Sequence, residues 1–186
     1  MSADVVAFSG GMSGGKSSVS REVASRLDWP RVSFGDQVRS VVRSRSLDST
    51  DRDTLQTVGQ ELVDADPFSF CRAVLSQAGS MWVPGKSLVI DGLRHVEVGT
   101  ALRELVRPST LRIVLIDADL ALRTTRAHGQ VEAADFARWD QHPTEVQITS
   151  KIRKIADLVV DGAQSIEAIA SMVTEWIENR EGLRKA

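Results

Sequence analysis

The chain has a single cysteine, Cys71, no tyrosine, and only 5% aromatic residues. One thiol excludes an internal disulfide and a cysteine-based zinc site, so a reducing cytoplasmic setting is expected. Acidic and basic residues nearly cancel, 25 against 23, for a net charge of −2. No run of Lys or Arg builds a nucleic-acid-binding face, so no such partner is expected. No stretch reaches the roughly 18 apolar residues of a membrane span, and no membrane association is expected. Met1-Ser2-Ala3-Asp4 lacks the basic start and apolar continuation of a secretory signal. His95, His128 and His142 have no ligand spacing and predict no metal site of their own. What remains is 186 residues, 42% hydrophobic and 26% charged, without repeats or low-complexity tracts. That composition predicts one globular domain over 1–186 with a substantial core.

The strongest local signal is Gly10 to Ser17, G-G-M-S-G-G-K-S, which satisfies G-x-x-x-x-G-K-[ST] at every specified position. It follows the apolar run Val5-Val6-Ala7-Phe8, so a buried strand, a glycine-rich turn and a helix come in the order this phosphate-binding loop requires. Glycines let consecutive backbone N–H groups point inward around phosphate oxygens, and the helix opening near Lys16 adds its positive end. The loop predicts a nucleoside triphosphate held by Gly11, Met12, Ser13, Gly14, Gly15, Lys16, Ser17 and Ser18. Lys16 reaches the β- and γ-phosphates and the Ser17 hydroxyl ligates Mg²⁺.

Apolar runs predict further strands at 31–34, 87–91, 111–116 and 158–160, separated by stretches of helical periodicity. Trp29-Pro30 is expected to end the first helix, Asp36 to cap the second, and Thr50 with Asp53 the third. Asp66-Pro67 opens a fourth, with Cys71 inward as a small hydrophobe. A helix from about Asp119 to His128 is expected to stop at Gly129. Alternation of strand and helix makes this an α/β protein with a parallel sheet. Residues 36–78 hold helices with no strand, read as an insertion over one side of the site.

Three signatures sit where strands end, the place open α/β sheets put their ligands. They are Phe34-Gly35-Asp36-Gln37-Val38-Arg39, Ile90-Asp91-Gly92-Leu93-Arg94, and Leu122-Arg123-Thr124-Thr125-Arg126 with Arg138-Trp139-Asp140 beyond. With these in order behind a phosphate loop, the chain resembles the nucleoside monophosphate kinase superfamily, of which adenylate kinases are the best known. It resembles more closely a prokaryotic group of P-loop kinases related to dephospho-CoA kinase, through S-x-G-D-x-x-R, D-G-x-R and a late A-D-x-x-V. The D-G-L-R element is one residue shorter than the D-G-F-P-R of adenylate kinases.

The resemblance implies a three-layer P-loop fold with a five-stranded parallel sheet of order 2-3-1-4-5. It implies a helical acceptor-binding region over 36–78 and a short lid over 123–142. It also implies transfer of the ATP γ-phosphoryl group, with Mg²⁺, to a small nucleotide-like acceptor. Lys16, Arg94, Arg123, Arg126 and Asp36 are then the catalytic set, with Arg123 also on the donor. Asp36, Arg39, Arg94 and Arg138 face the acceptor, and Asp91 holds the metal through water. Asp36 is either a base for a hydroxyl acceptor or a cap that positions Arg39. Trp139 either stacks on a base or anchors the lid. A hydroxyl-directed kinase and a nucleotide-dependent switch remain the competing readings, and both monomer and homodimer stay open.

Overall fold

The structure, a computed structural model, describes residues 3–128, 132–142, 145–146 and 148–183. Five parallel strands form the sheet: β1 (Asp4–Gly10), β2 (Arg31–Ser33), β3 (Leu88–Asp91), β4 (Thr110–Asp117) and β5 (Leu158–Asp161). Their order across the sheet is β2-β3-β1-β4-β5, as the resemblance implied. In the central strand β1, Phe8 lies beside Asp91 of β3 and Gly10 beside Ile116 of β4. This register brings the loop after β1 level with the carboxyl ends of both neighbours.

Helices cover both faces, which explains the unbroken apolar runs of the strands. Val5 and Ala7 point into one core, shared with helices α2 (Phe34–Ser44), α3 (Arg52–Ala65), α4 (Pro67–Ser76) and α5 (Val96–Leu105). Val6 and Phe8 point into the other, built with Val19 and Val23 of α1 (Lys16–Leu27) and Ile169, Val173 and Ile177 near the end of the chain. Two further helices follow β4, α6 (Leu120–Ala127) and α7 (Ala133–Asp140), and a long helix, α8 (Ile166–Leu183), closes the chain. Cys71 is fully buried in the first core, and burial pushes its thiol up to about 12. No helix among the described residues is long and apolar enough to cross a membrane.

Several boundaries differ from the sequence reading, each because a nearer residue, through its side chain or its backbone, satisfies the helix end. Ser33, not Asp36, caps α2: its hydroxyl accepts from the Asp36 N–H at 3.3 Å, so Phe34 already belongs to the helix and β2 is a residue shorter. Asp51, not Thr50, caps α3 by accepting the Thr54 N–H at 2.9 Å. Asp28, in a left-handed conformation at φ 52°, ends α1 one residue before Trp29-Pro30. Asp66 caps α4 with Pro67 in its first turn, as expected. Gly129, the expected stop of α6, lies outside the described residues, as do residues 130 and 131 of the lid region. Beyond α7, a wide π-type turn over Ile148–Ile152 runs into a short helical turn at Arg153–Ile155, in a stretch where sequence periodicity predicted nothing.

Candidate active site

The phosphate loop leaves β1 and enters α1 through two residues with left-handed backbone, Ser13 at φ 57° and Gly15 at φ 90°. Gly11 has a second reason to be glycine: a Cβ there would meet Nη1 of Arg123 at 2.8 Å. Helix α1 has neither a side-chain cap nor an acidic residue in its first turn, whereas Ser33, Asp51, Asp66 and Asp119 cap helices elsewhere. Its first-turn N–H groups and positive end are therefore left for an external anion.

Across from the loop lies a cavity of about 270 Å³. Lys16, Ser17, Arg39, Arg52, Asp91 and Arg94 line its polar side, and Phe34, Val38, Leu55, Phe70 and Val98 its apolar side. Lys16 is only 9% exposed, and its Nζ donates to the Gly11 carbonyl at 3.4 Å. Burial holds the Lys16 ammonium well below the ordinary lysine range, Arg94 pushes it further down, and Asp91 opposes both. Arg94 is lowered to about 9, by burial first and then by the charge of Arg52. Arg52 is lowered in turn by burial and by Arg39. Mutual depression of this kind marks a cation cluster suited to a polyanion, because bringing in negative charge relieves every member at once.

One buried carboxylate already sits among these cations. Glu145, with a side chain 2% exposed, accepts the Met12 N–H at 3.1 Å and Arg52 Nη2 at 3.2 Å, and makes a close ion pair with Arg94. Asp91 ends β3 with Oδ2 held by Arg31 at 2.6 Å, while Arg31 also donates to Ser20. The other carboxylate oxygen, Oδ1, is buried without a hydrogen-bond partner. An oriented, unspent carboxylate oxygen and the Ser17 hydroxyl on one cavity wall are hard oxygen donors, and they fit Mg²⁺ with its retained water.

The two arginines of α6, expected to belong to a lid, come to the loop from outside. Arg123 is buried, its Nε donating to the Ala118 carbonyl at 3.0 Å and its Nη1 paired with Asp140 at 2.5 Å. Arg126 reaches the Gly14 carbonyl at 3.5 Å. Lys16, Arg39, Arg94 and Asp91 thus line one cavity, with Arg123 and Arg126 against the same loop outside it. The fold does not bring Asp36 or Arg138 into that cavity. The Asp36 side chain is 63% exposed and pairs with Arg39 at 3.0 Å. Arg138 pairs with Asp53 at 2.8 Å, and the Trp139 Nε1–H donates to the same carboxylate at 2.9 Å, so Trp139 ties α7 to α3.

Arg31, Arg52, Gln56 and Glu145 escaped the sequence reading. Arg31 opens a three-residue strand, and Arg52 and Gln56 lie on a helix whose apolar spacing says nothing of its polar face. Glu145 belongs to the stretch without periodicity and meets Met12 across 133 residues. A local pattern carries no signal for contacts of that range. His95 is buried, shares a 3.1 Å hydrogen bond with Gln60 Oε1, and is lowered to about 4, mainly by burial. Among the described residues no cluster of His, Cys, Asp and Glu could hold a metal by itself.

No protein-family model matches the chain, and no curated protein matches it in sequence. Solved structures do. Shikimate kinase from Acinetobacter baumannii, in complex with shikimate, aligns with a TM-score of 0.62 at 12% identity, over 97% of this chain and 95% of its own. A gluconokinase from Sinorhizobium meliloti 1021 gives 0.59 at 18% identity, over 96% of this chain and 97% of its own. Shikimate kinase from Aquifex aeolicus gives 0.55 at 15% identity, over 95% and 98%. At these identities the likeness is one of fold, and over nearly its whole length the chain has the fold of these P-loop kinases.

Proposed function

We propose that this protein is an ATP-dependent phosphotransferase that moves the γ-phosphoryl group onto a small anionic, nucleotide-like acceptor, most simply a (deoxy)nucleoside monophosphate. The observation that carries the reading is one cavity lined both by the phosphate loop and by Arg39, Arg52 and Arg94. A nucleotide switch has no use for those three arginines beside its loop. The bond from the γ-phosphorus to the ADP oxygen breaks as a bond to an acceptor oxygen forms, with negative charge spread over the peripheral oxygens. Loop amides and Lys16 hold the donor, and Arg94 with Arg39 orients the acceptor. Arg123 and Arg126 offset charge from the outer side of the loop and, with the lid segment, keep out water that would hydrolyse ATP. Magnesium, when bound to Ser17 and through water to Asp91, would neutralise charge on the β- and γ-phosphates.

A hydroxyl acceptor is the second reading, favoured by the printed names of the structural neighbours, which are shikimate kinases and a gluconokinase. A hydroxyl must lose a proton, and Asp36 turns to solvent while Asp91 is held by Arg31. A phosphate acceptor needs no base, and this weighs for the first reading. The test is an ADP-release screen over nucleoside monophosphates, deoxynucleotides, nucleosides, small hydroxy acids and dephospho-CoA. Turnover with monophosphates alone supports the proposal. Turnover confined to hydroxyl acceptors, with an acidic limb lost in Asp36→Asn, moves the assignment to the second.

A further inference from the structure

We infer that Glu145 is a built-in competitor for the phosphoryl seat, a carboxylate just beyond the expected lid that must leave before donor and acceptor can meet. The inference rests on the phosphotransferase reading above and adds a regulation of that same site. Glu145 takes three donors of two kinds: the Met12 N–H of the phosphate loop, and the guanidiniums of Arg52 and Arg94. The first belongs to the donor cradle and the other two to the arginines proposed for the acceptor, so the carboxylate bridges the two groups between which a phosphoryl group would travel. Carboxylate and phosphoryl oxygens accept the same charge-assisted hydrogen bonds from arginine and backbone amide, and one set of donors cannot serve both at full strength.

Three observations favour competition over a fixed structural pair. Lys16, Arg39, Arg52 and Arg94 line the cavity beside Glu145, so a single carboxylate carries less negative charge than the several charges a triphosphate would bring to the same cations. Glu145 also lines a second cavity of about 250 Å³ beyond Gly11 and Arg123, giving its side chain somewhere to turn when displaced. Finally, among the described residues, the segment before it meets α3 through polar contacts: Arg138 and Trp139 on Asp53, and Gln56 Nε2 on the Trp139 carbonyl at 3.3 Å. Holding Glu145 in place costs the protein an occupied seat, and releasing it frees Arg52 and Arg94 for an acceptor anion.

The test is calorimetric titration of inorganic tripolyphosphate, and of ATP with magnesium, into the wild type, Glu145→Gln and Glu145→Asp. Thermal melts accompany each variant to establish folding. Competition predicts that Glu145→Gln binds tripolyphosphate at least tenfold more tightly. Glu145→Asp, whose shorter side chain keeps the charge but loses reach to the Met12 N–H, lies between the two and serves alone should the Gln variant not fold. Adding Lys16→Ala to either variant abolishes the gain, placing it at the loop. Equal or weaker binding by the variants, against measurable binding by the wild type, overturns the competition while leaving the phosphotransferase reading intact. Absence of binding in all three proteins removes both.

Discussion

Lys16 is a buried cation that no ion pair among the described residues compensates, beside an Arg94 that depresses it further, and a buried charge of this kind costs stability that an incoming anion offsets. Removing the Lys16 charge should therefore separate stability from activity. Lys16→Met, of similar length and without charge, is expected to raise unfolding free energy by about 1 kcal/mol or more while lowering turnover by orders of magnitude. Denaturant melts beside a kinase assay check both, and a variant less stable than the wild type would contradict the account. His95 gives a second prediction at this scale. Burial holds its folded pKa near 4, against 6.5 for the free side chain. Between those values the unfolded chain binds the proton and the folded one does not, so stability rises with pH across that window and is lost as pH falls through it. The full effect is on the order of 3 kcal/mol. His95→Gln should flatten this part of the stability profile, and an unchanged slope would assign it to other groups.

At the scale of elements, what was legible in the sequence followed local chemistry. The strands showed as apolar runs because both faces of the sheet are covered, and α4 showed through Asp66-Pro67. The cap of α2 was misassigned because Ser33 and Asp36 both suit the position, and only the backbone decides which is outside the helix. That correction is testable. Ser33→Ala should cost about 0.5–2 kcal/mol of stability, the range of a lost cap, and more than Asp36→Ala does. The reverse ranking would restore Asp36 as the cap. Helix α8 docks on α1 through Ile177, which is buried, whereas Val159 on the edge strand β5 is 41% exposed. Ile177→Ala should cost about 2–5 kcal/mol and Val159→Ala under about 0.5, read from chemical denaturation. The stretch from residue 141 to 157 was illegible for a physical reason. Its π-type turn is held by Ile148 and Ile152 buried against distant strands, not by a repeating face.

At the scale of the whole molecule, the phosphate loop and the alternation of elements implied a parallel sheet, its strand order came only with the family resemblance, and the sheet is ordered β2-β3-β1-β4-β5. The ends of β1, β2 and β3 then bring Lys16, Arg39, Asp91 and Arg94 to one cavity, although residues 16 and 94 are far apart in sequence. The loop and the arginine signatures were readable because each is local. The cation cluster that joins them, Arg52 with its partner Glu145 included, exists only in three dimensions. All of it depends on the loop being a triphosphate seat. Calorimetric titration of ATP with magnesium into the wild type and Lys16→Met tests this most directly. The account predicts one saturable site in the wild type and none in the variant. A wild-type protein that takes up no ATP, or a variant that binds it equally well, would contradict it.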